Sequence, residues 1–186
     1  MEPDSSKIRS ELAIVADEIS ARLERLKSER IVFAESCTAG MIAATMGGVP
    51  GISRFLCGSA VTYREATKIA WLNVSPDLIG EHTAESLAVT NEMGILVMQR
   101  TPEATLSLAI TGHLGPGVDE TVNGKVYVAI FQRSRDSVAL IGGGQFQLKS
   151  ANRLGRQTEA SFLALQSLNE SLEKTEGRRK TSSPSN

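Results

Sequence analysis

A chain of 186 residues, 41% of them apolar, can bury one good core, and 20 basic against 21 acidic side chains leave a near-neutral surface. That balance disfavours nucleic acid or an anionic membrane as partner, and aromatic residues at only 4% suit a tightly turned α/β fold better than a stacking binder. No apolar run approaches the ~18 residues of a membrane span, and the charged start MEPDSSKIRSEL lacks the apolar segment of a secretion signal, so the cytoplasm is the expected compartment.

Ile8, Leu12, Val15, Ile19, Leu23 and Leu26 recur at helical spacing and predict a first amphipathic helix. Ile31–Glu35 reads as a strand. A small-residue helix from Thr38 to about Met46 follows it, then a loop at Gly47-Gly48-Val49-Pro50-Gly51. Phe55–Tyr63 predicts a second strand and Arg64–Leu72 a short helical segment. Ser75-Pro76 opens another helical turn. Thr83-Ala84-Glu85-Ser86 predicts the cap of a longer helix to about Arg100, with Leu87, Met93, Leu96 and Val97 facing the core. Ala104–Thr111 is a third strand.

Gly112 to Gly124 is a long glycine-rich loop of the kind that often carries function. Lys125–Arg133 and Ser137–Leu148 predict two antiparallel strands, with Gly142-Gly143-Gly144 marking a bulge or bend. A last helix runs from Ala151 to about Leu172, with Leu154, Phe162, Leu165 and Leu168 on one side; residues 173–186 read as a disordered polar tail. The pattern is a single α/β domain over residues 1–172, three-layer α/β/α, with a mixed, mostly parallel sheet.

Three apolar runs end in reactive groups: Glu35-Ser36-Cys37-Thr38, Tyr63 with Lys68 beyond it, and Thr111-Gly112. Strand ends and their loops converge on ligands in α/β sheets, so the three can share a cleft. A serine needs a base, and a desolvated lysine aided by a tyrosine phenol supplies one. Amides at a helix start can hold an anion or an oxyanion. Two plainer readings stand beside this: a serine at a helix start as a cap, and a solvated surface lysine. Cys37 is a rival nucleophile or a small core residue.

His82 reads as a turn or cap residue, while His113 lies in the glycine-rich loop within reach of a ligand. With two cysteines and two histidines a zinc site is not expected, and neither GxxxxGK[ST] nor GxGxxG occurs. Arg153 and Arg156 stand three apart near the last helix, either solvated or clamping a phosphate or carboxylate.

AESCTAG at 34–40, VPGISRFLCGSAVTYREATKIAWLNV at 49–74, AITGHLGPG at 109–117 and GKVYVAI at 124–130 resemble the CinA C-terminal domain family, also known as nicotinamide-nucleotide amidohydrolase. The resemblance covers roughly Leu12 to Leu168. It implies an α/β/α fold, a homodimer, no metal or other cofactor, and hydrolysis of nicotinamide mononucleotide to nicotinate mononucleotide and ammonia. By that resemblance Ser36 is the nucleophile, Tyr63 and Lys68 its activating pair, Thr111 a further catalytic residue and Arg153 a phosphate ligand. Glu35, Cys37, Thr38, Gly40 and Gly112 are expected to bind substrate alongside. The chain departs from the family where Ala39-Gly40 replaces two glycines and where His113-Leu114 and Gly117-Val118-Asp119-Glu120 alter the loop. The rival readings are a non-catalytic nucleotide- or phosphate-binding module and an amidase acting on another amide.

Overall fold

The computed structural model describes residues 5–135 and 137–182. The first apolar stripe forms helix α1 (Ser5–Leu26), which leads into strand β1 (Ile31–Glu35). Helix α2 (Met41–Gly47), a 3-10 turn at Ile52–Arg54 and strand β2 (Leu56–Val61) follow. One helical turn, α3 (Glu65–Thr67), runs straight into a π-helical turn, Lys68–Leu72. Then come α4 (Pro76–His82), α5 (Leu87–Arg100), β3 (Leu106–Gly112), β4 (Lys125–Arg133), β5 (Val138–Gln147) and α6 (Arg153–Ser182).

The strands make one mixed sheet in the order β2-β1-β3-β4-β5. β2, β1 and β3 run parallel, while β4 and β5 are antiparallel additions. β1 is buried along its whole length because helices cover both faces of the sheet. Its alternate residues part accordingly. Ile31 and Phe33 join the cluster built with α1, α2 and α6, whereas Val32 and Ala34 join Val89, Met93 and Val97 of α5. Each large side chain sealed in this way, Phe33 or Met93 for example, contributes roughly 1.5–3 kcal/mol.

The chain leaves β1 through α2 on one face to reach β2. It crosses by α5 on the other face to β3, on the opposite side of β1. The two connections diverge at the carboxyl end of β1, which opens a crevice there, the usual ligand position in such sheets. Among the described residues no helix is long and apolar enough to cross a membrane.

Several boundaries differ from the sequence expectation. α2 becomes regular only at Met41, because Ala39 (φ 52°) and Gly40 (φ 92°) turn left-handed first. α5 starts at Leu87, with Ser86 Oγ accepting from the Val89 amide as its cap. Leu87 therefore sits in the first turn, 42% exposed rather than in the core. Leu154, in the first turn of α6, is likewise exposed. The bulge falls beside the glycine run: Ile130 pairs with Gly142 but Phe131 with Leu140, leaving Ile141 over.

The polar tail is the largest correction. Residues 173–182, expected to be disordered, continue α6. Leu172 and Thr175 are buried, and Glu173, Glu176 and Arg179 pair with α1 and the loop after it. Glu176 accepts from Arg22 and Arg25 at 2.7 Å each. Arg179 donates to the Leu26 carbonyl and to the buried carboxylate of Glu29. The remainder of the expected tail, 183–186, lies outside the described residues.

Candidate active site

Ser36 is the first residue past β1, and its amide still bonds the Ile110 carbonyl of β3. Its side chain is nearly buried, and Lys68 Nζ donates to Ser36 Oγ at 3.1 Å. Lys68 opens the π-helical turn beyond β2, with its side chain only 1% accessible. Burial in that position pushes the Lys68 pKa below the ordinary lysine value, while the carboxylate of Glu85, 3.9 Å away, pulls it back up. A serine hydroxyl held against a buried lysine whose pKa is lowered has the arrangement that nucleophilic catalysis requires.

The pair opens into a cleft of about 250 Å3 lined by Ser36, Tyr63, Glu85, Gly112, His113 and Arg153 among others. Gly112 is close to β4, and any Cβ there would lie 2.5 Å from Val126. His113 is tied by its main chain to Lys125 and Gly124, which fixes one wall. Tyr63 is half exposed. Its phenol oxygen accepts from Arg153 at 2.5 Å rather than from Lys68, so the expected Lys/Tyr pair is resolved into Lys68 on the serine and Tyr63 on the rim. Arg153 also donates to the Gly115 carbonyl. Arg156 is spent on the loop, bonding the carbonyls of Ser150 and Leu114 and the Asn123 side chain.

Three residues expected to bind substrate are turned away from the cleft. Glu35 is fully buried, and its oxygens accept from Thr38 Oγ1, Ser59 Oγ and the amides of Gly40, Ile42 and Ala43 at 2.8–3.1 Å. The α2 amides expected to hold an anion are thus taken by the chain's own carboxylate. Thr38 and Gly40 belong to the same internal cap. One turn earlier, among the described residues, the amides of Cys37 and Thr38 have no backbone acceptor, and the Cys37 amide bears on its own thiol. The residue after a nucleophile commonly supplies an oxyanion donor.

Thr111 is also behind the site. Thr90 Oγ1 spends its proton on the Ser86 carbonyl (2.7 Å), so Thr111 Oγ1 donates to Thr90 at 2.7 Å. Thr111 holds the start of α5 rather than a reacting group. Cys37 borders the cleft, but burial pushes its thiol up to about 12, which removes the thiolate a rival nucleophile needs. Among the described residues no three His, Cys, Asp or Glu side chains stand close enough to hold a metal ion.

The sequence reading missed Glu85 and Thr90. The parity of β1 was the signal for Glu35: it shares a face with Phe33, opposite to Ala34. A larger groove, about 560 Å3, runs between α1, α2 and α6, lined mainly by apolar residues such as Leu12, Met41 and Val49. It shares no lining residue with the Ser36 cleft and holds no nucleophile beside a base.

Residues 13–172 match the model of the CinA C-terminal domain. A CinA-like protein of Myxococcus xanthus is 40% identical over 102 residues, covering 54% of this chain and 24% of that protein. A CinA-like protein of Mycobacterium marinum is 41% identical over 111 residues, covering 60% of this chain and 25% of that protein. The matched chain therefore spans about a quarter of the length of these relatives. The structure of the competence damage-inducible protein A from Klebsiella pneumoniae superposes with a TM-score of 0.78 at 24% identity, over 87% of this chain and 97% of that one. It carries the same α/β architecture, a mixed five-stranded sheet with helices on both sides.

Proposed function

Because the chain belongs to the CinA C-terminal domain family, we propose that it hydrolyses the carboxamide of nicotinamide mononucleotide through Ser36. The observation that carries this reading is the buried 3.1 Å hydrogen bond from Lys68 Nζ to Ser36 Oγ at the mouth of the β1 crevice. Neutral Lys68 takes the serine proton as Oγ bonds the carboxamide carbon, and the carbonyl electrons move onto oxygen. The amides of Cys37 and Thr38 hold that oxyanion. As the carbonyl re-forms, the C–N bond breaks, and Lys68 returns the proton to the departing nitrogen, which leaves as ammonia. Water then attacks the acyl-serine with Lys68 as base again, releasing nicotinate mononucleotide and restoring Ser36.

The nucleotide's far end lies toward Arg153. Beside it a second hollow of about 350 Å3 continues the cleft past Leu114, Pro116 and Asn123. Activity rises with pH through the depressed pKa of Lys68, since only its neutral amine accepts a proton. The test is ammonia release from nicotinamide mononucleotide by the purified protein. Stabilisation by the nucleotide without ammonia supports a binding module instead, and ammonia from other amides alone supports a different amidase.

A further inference from the structure

Nothing in the reaction above uses Glu85, yet the chain is held firmly to present it. Thr83, two residues earlier, has φ 68° and ψ 157°, a region a β-branched residue enters only against steric resistance. Contacts on both sides keep it there. Ser86 Oγ donates to the Thr83 carbonyl at 3.0 Å and accepts from Val89. Thr111 and Thr90 in series fix the Ser86 carbonyl, and Ala84 is buried between. Strain that the surroundings over-determine is found where a side chain must be aimed.

What is aimed here is a carboxylate. Glu85 lines the Ser36 cleft with 30% of its side chain open, and its Oε1 stands 3.9 Å from Lys68 Nζ. Among the described residues its oxygens accept no hydrogen bond, in contrast to the saturated Glu35. As a mere partner for Lys68 it would work against the base, because it favours the protonated amine.

The geometry points to Glu85 as the specificity-determining residue that accepts from the –NH2 of the substrate carboxamide and repels the carboxylate of the product. The inference rests on the amidohydrolase reading of the same cleft. The departing nitrogen must come within reach of Lys68 to receive its proton, and a group there faces Glu85. A carboxamide brings two N–H donors to that place, while a carboxylate brings only charged acceptors. The site thereby holds the amide and expels the acid, so product release is favoured by the same oxygens that bind substrate.

Calorimetric titration of nicotinamide mononucleotide and nicotinate mononucleotide into Ser36→Ala, with and without Glu85→Gln, tests this without turnover. The single variant is expected to bind the amide about tenfold or more tightly than the acid, and the double variant to lose that preference, since glutamine neither repels the acid nor lacks a donor for it. An unchanged ratio in the double variant overturns the assignment, as does a single variant that prefers the acid or binds neither nucleotide. Ammonia release by the Ser36 protein is read separately. A Glu85-dependent preference without ammonia sinks the reaction and keeps the selectivity; ammonia with an unchanged preference does the reverse.

Discussion

Glu35 and Ser36 are adjacent residues at the end of one strand, and they face opposite ways. On the Glu35 side every nearby donor is taken: the carboxylate fills the start of α2 and ties it to β2 through Ser59. On the Ser36 side a hydroxyl has one lysine against it and an open cleft beyond. The helix start that looks like the natural anion site is closed by the chain's own anion. The Ser36 side instead has the Cys37 and Thr38 amides of the turn, which among the described residues have no backbone acceptor, before the helix has formed. A binding site here is what the capping interactions leave unspent.

The contrast breaks most sharply with substitutions on the Ser36 side. Ser36→Ala should lower ammonia release by about 10³-fold or more with little change in melting temperature. Lys68→Met should do the same and raise the melting temperature, because a buried amine with few partners disappears. Ammonia release that survives Lys68→Met would remove the base from the mechanism. Glu35→Ala should act in the opposite way, through stability. It leaves the amides of Gly40, Ile42 and Ala43 without an acceptor, costing about 3 kcal/mol in a urea titration. A loss no larger than an ordinary surface substitution would show that the cap is not what orders the turn.

Smaller effects sharpen the picture at its margins. Ala39 holds φ 52° in that same turn, so Ala39→Gly should gain about 1 kcal/mol in thermal melts while leaving activity intact. A loss on that change would mean the alanine methyl matters more than its backbone. Far from the cleft, hydrogen bonds from Arg25 and then Arg22 hold the Glu176 carboxyl below the usual carboxylate range. Folding therefore gains from this group above its unfolded pKa and loses that gain as pH falls through the lowered folded value. Glu176→Gln should flatten that part of the acid unfolding curve and cost about 0.5 kcal/mol at neutral pH.

Much of this was legible beforehand, for physical reasons. Uniform apolar runs gave away the inner strands, and a hydroxyl ending such a run marked Ser36. Lys68 could be paired with it because β2 and β1 are parallel neighbours, so their ends meet. Glu35 was misplaced because composition does not say which way a residue faces, although strand parity does. Thr111 looked catalytic by position, but its partner Thr90 lies on a helix twenty-one residues earlier in the chain. Glu85 was hidden by the left-handed Thr83, a conformation that a threonine gives no hint of. The end of α6 looked disordered because its charges are satisfied by α1, at the far end of the sequence.

The π-helical turn at Lys68–Leu72 carries a further consequence. Such a turn is an α-helix holding one residue too many. Here the surplus is visible in the bond from the Asn73 amide back to the Lys68 carbonyl, five residues earlier, and in the left-handed conformation of Asn73 that ends the turn. Taking one residue out of Ile69–Trp71 would restore ordinary helical periodicity while altering how the turn joins Asn73 and the core beyond. Length in this short stretch is therefore under tighter control than composition. Trp71 lies mostly in solvent, so its exchange should cost little melting temperature, whereas a single deletion beside it should cost much more.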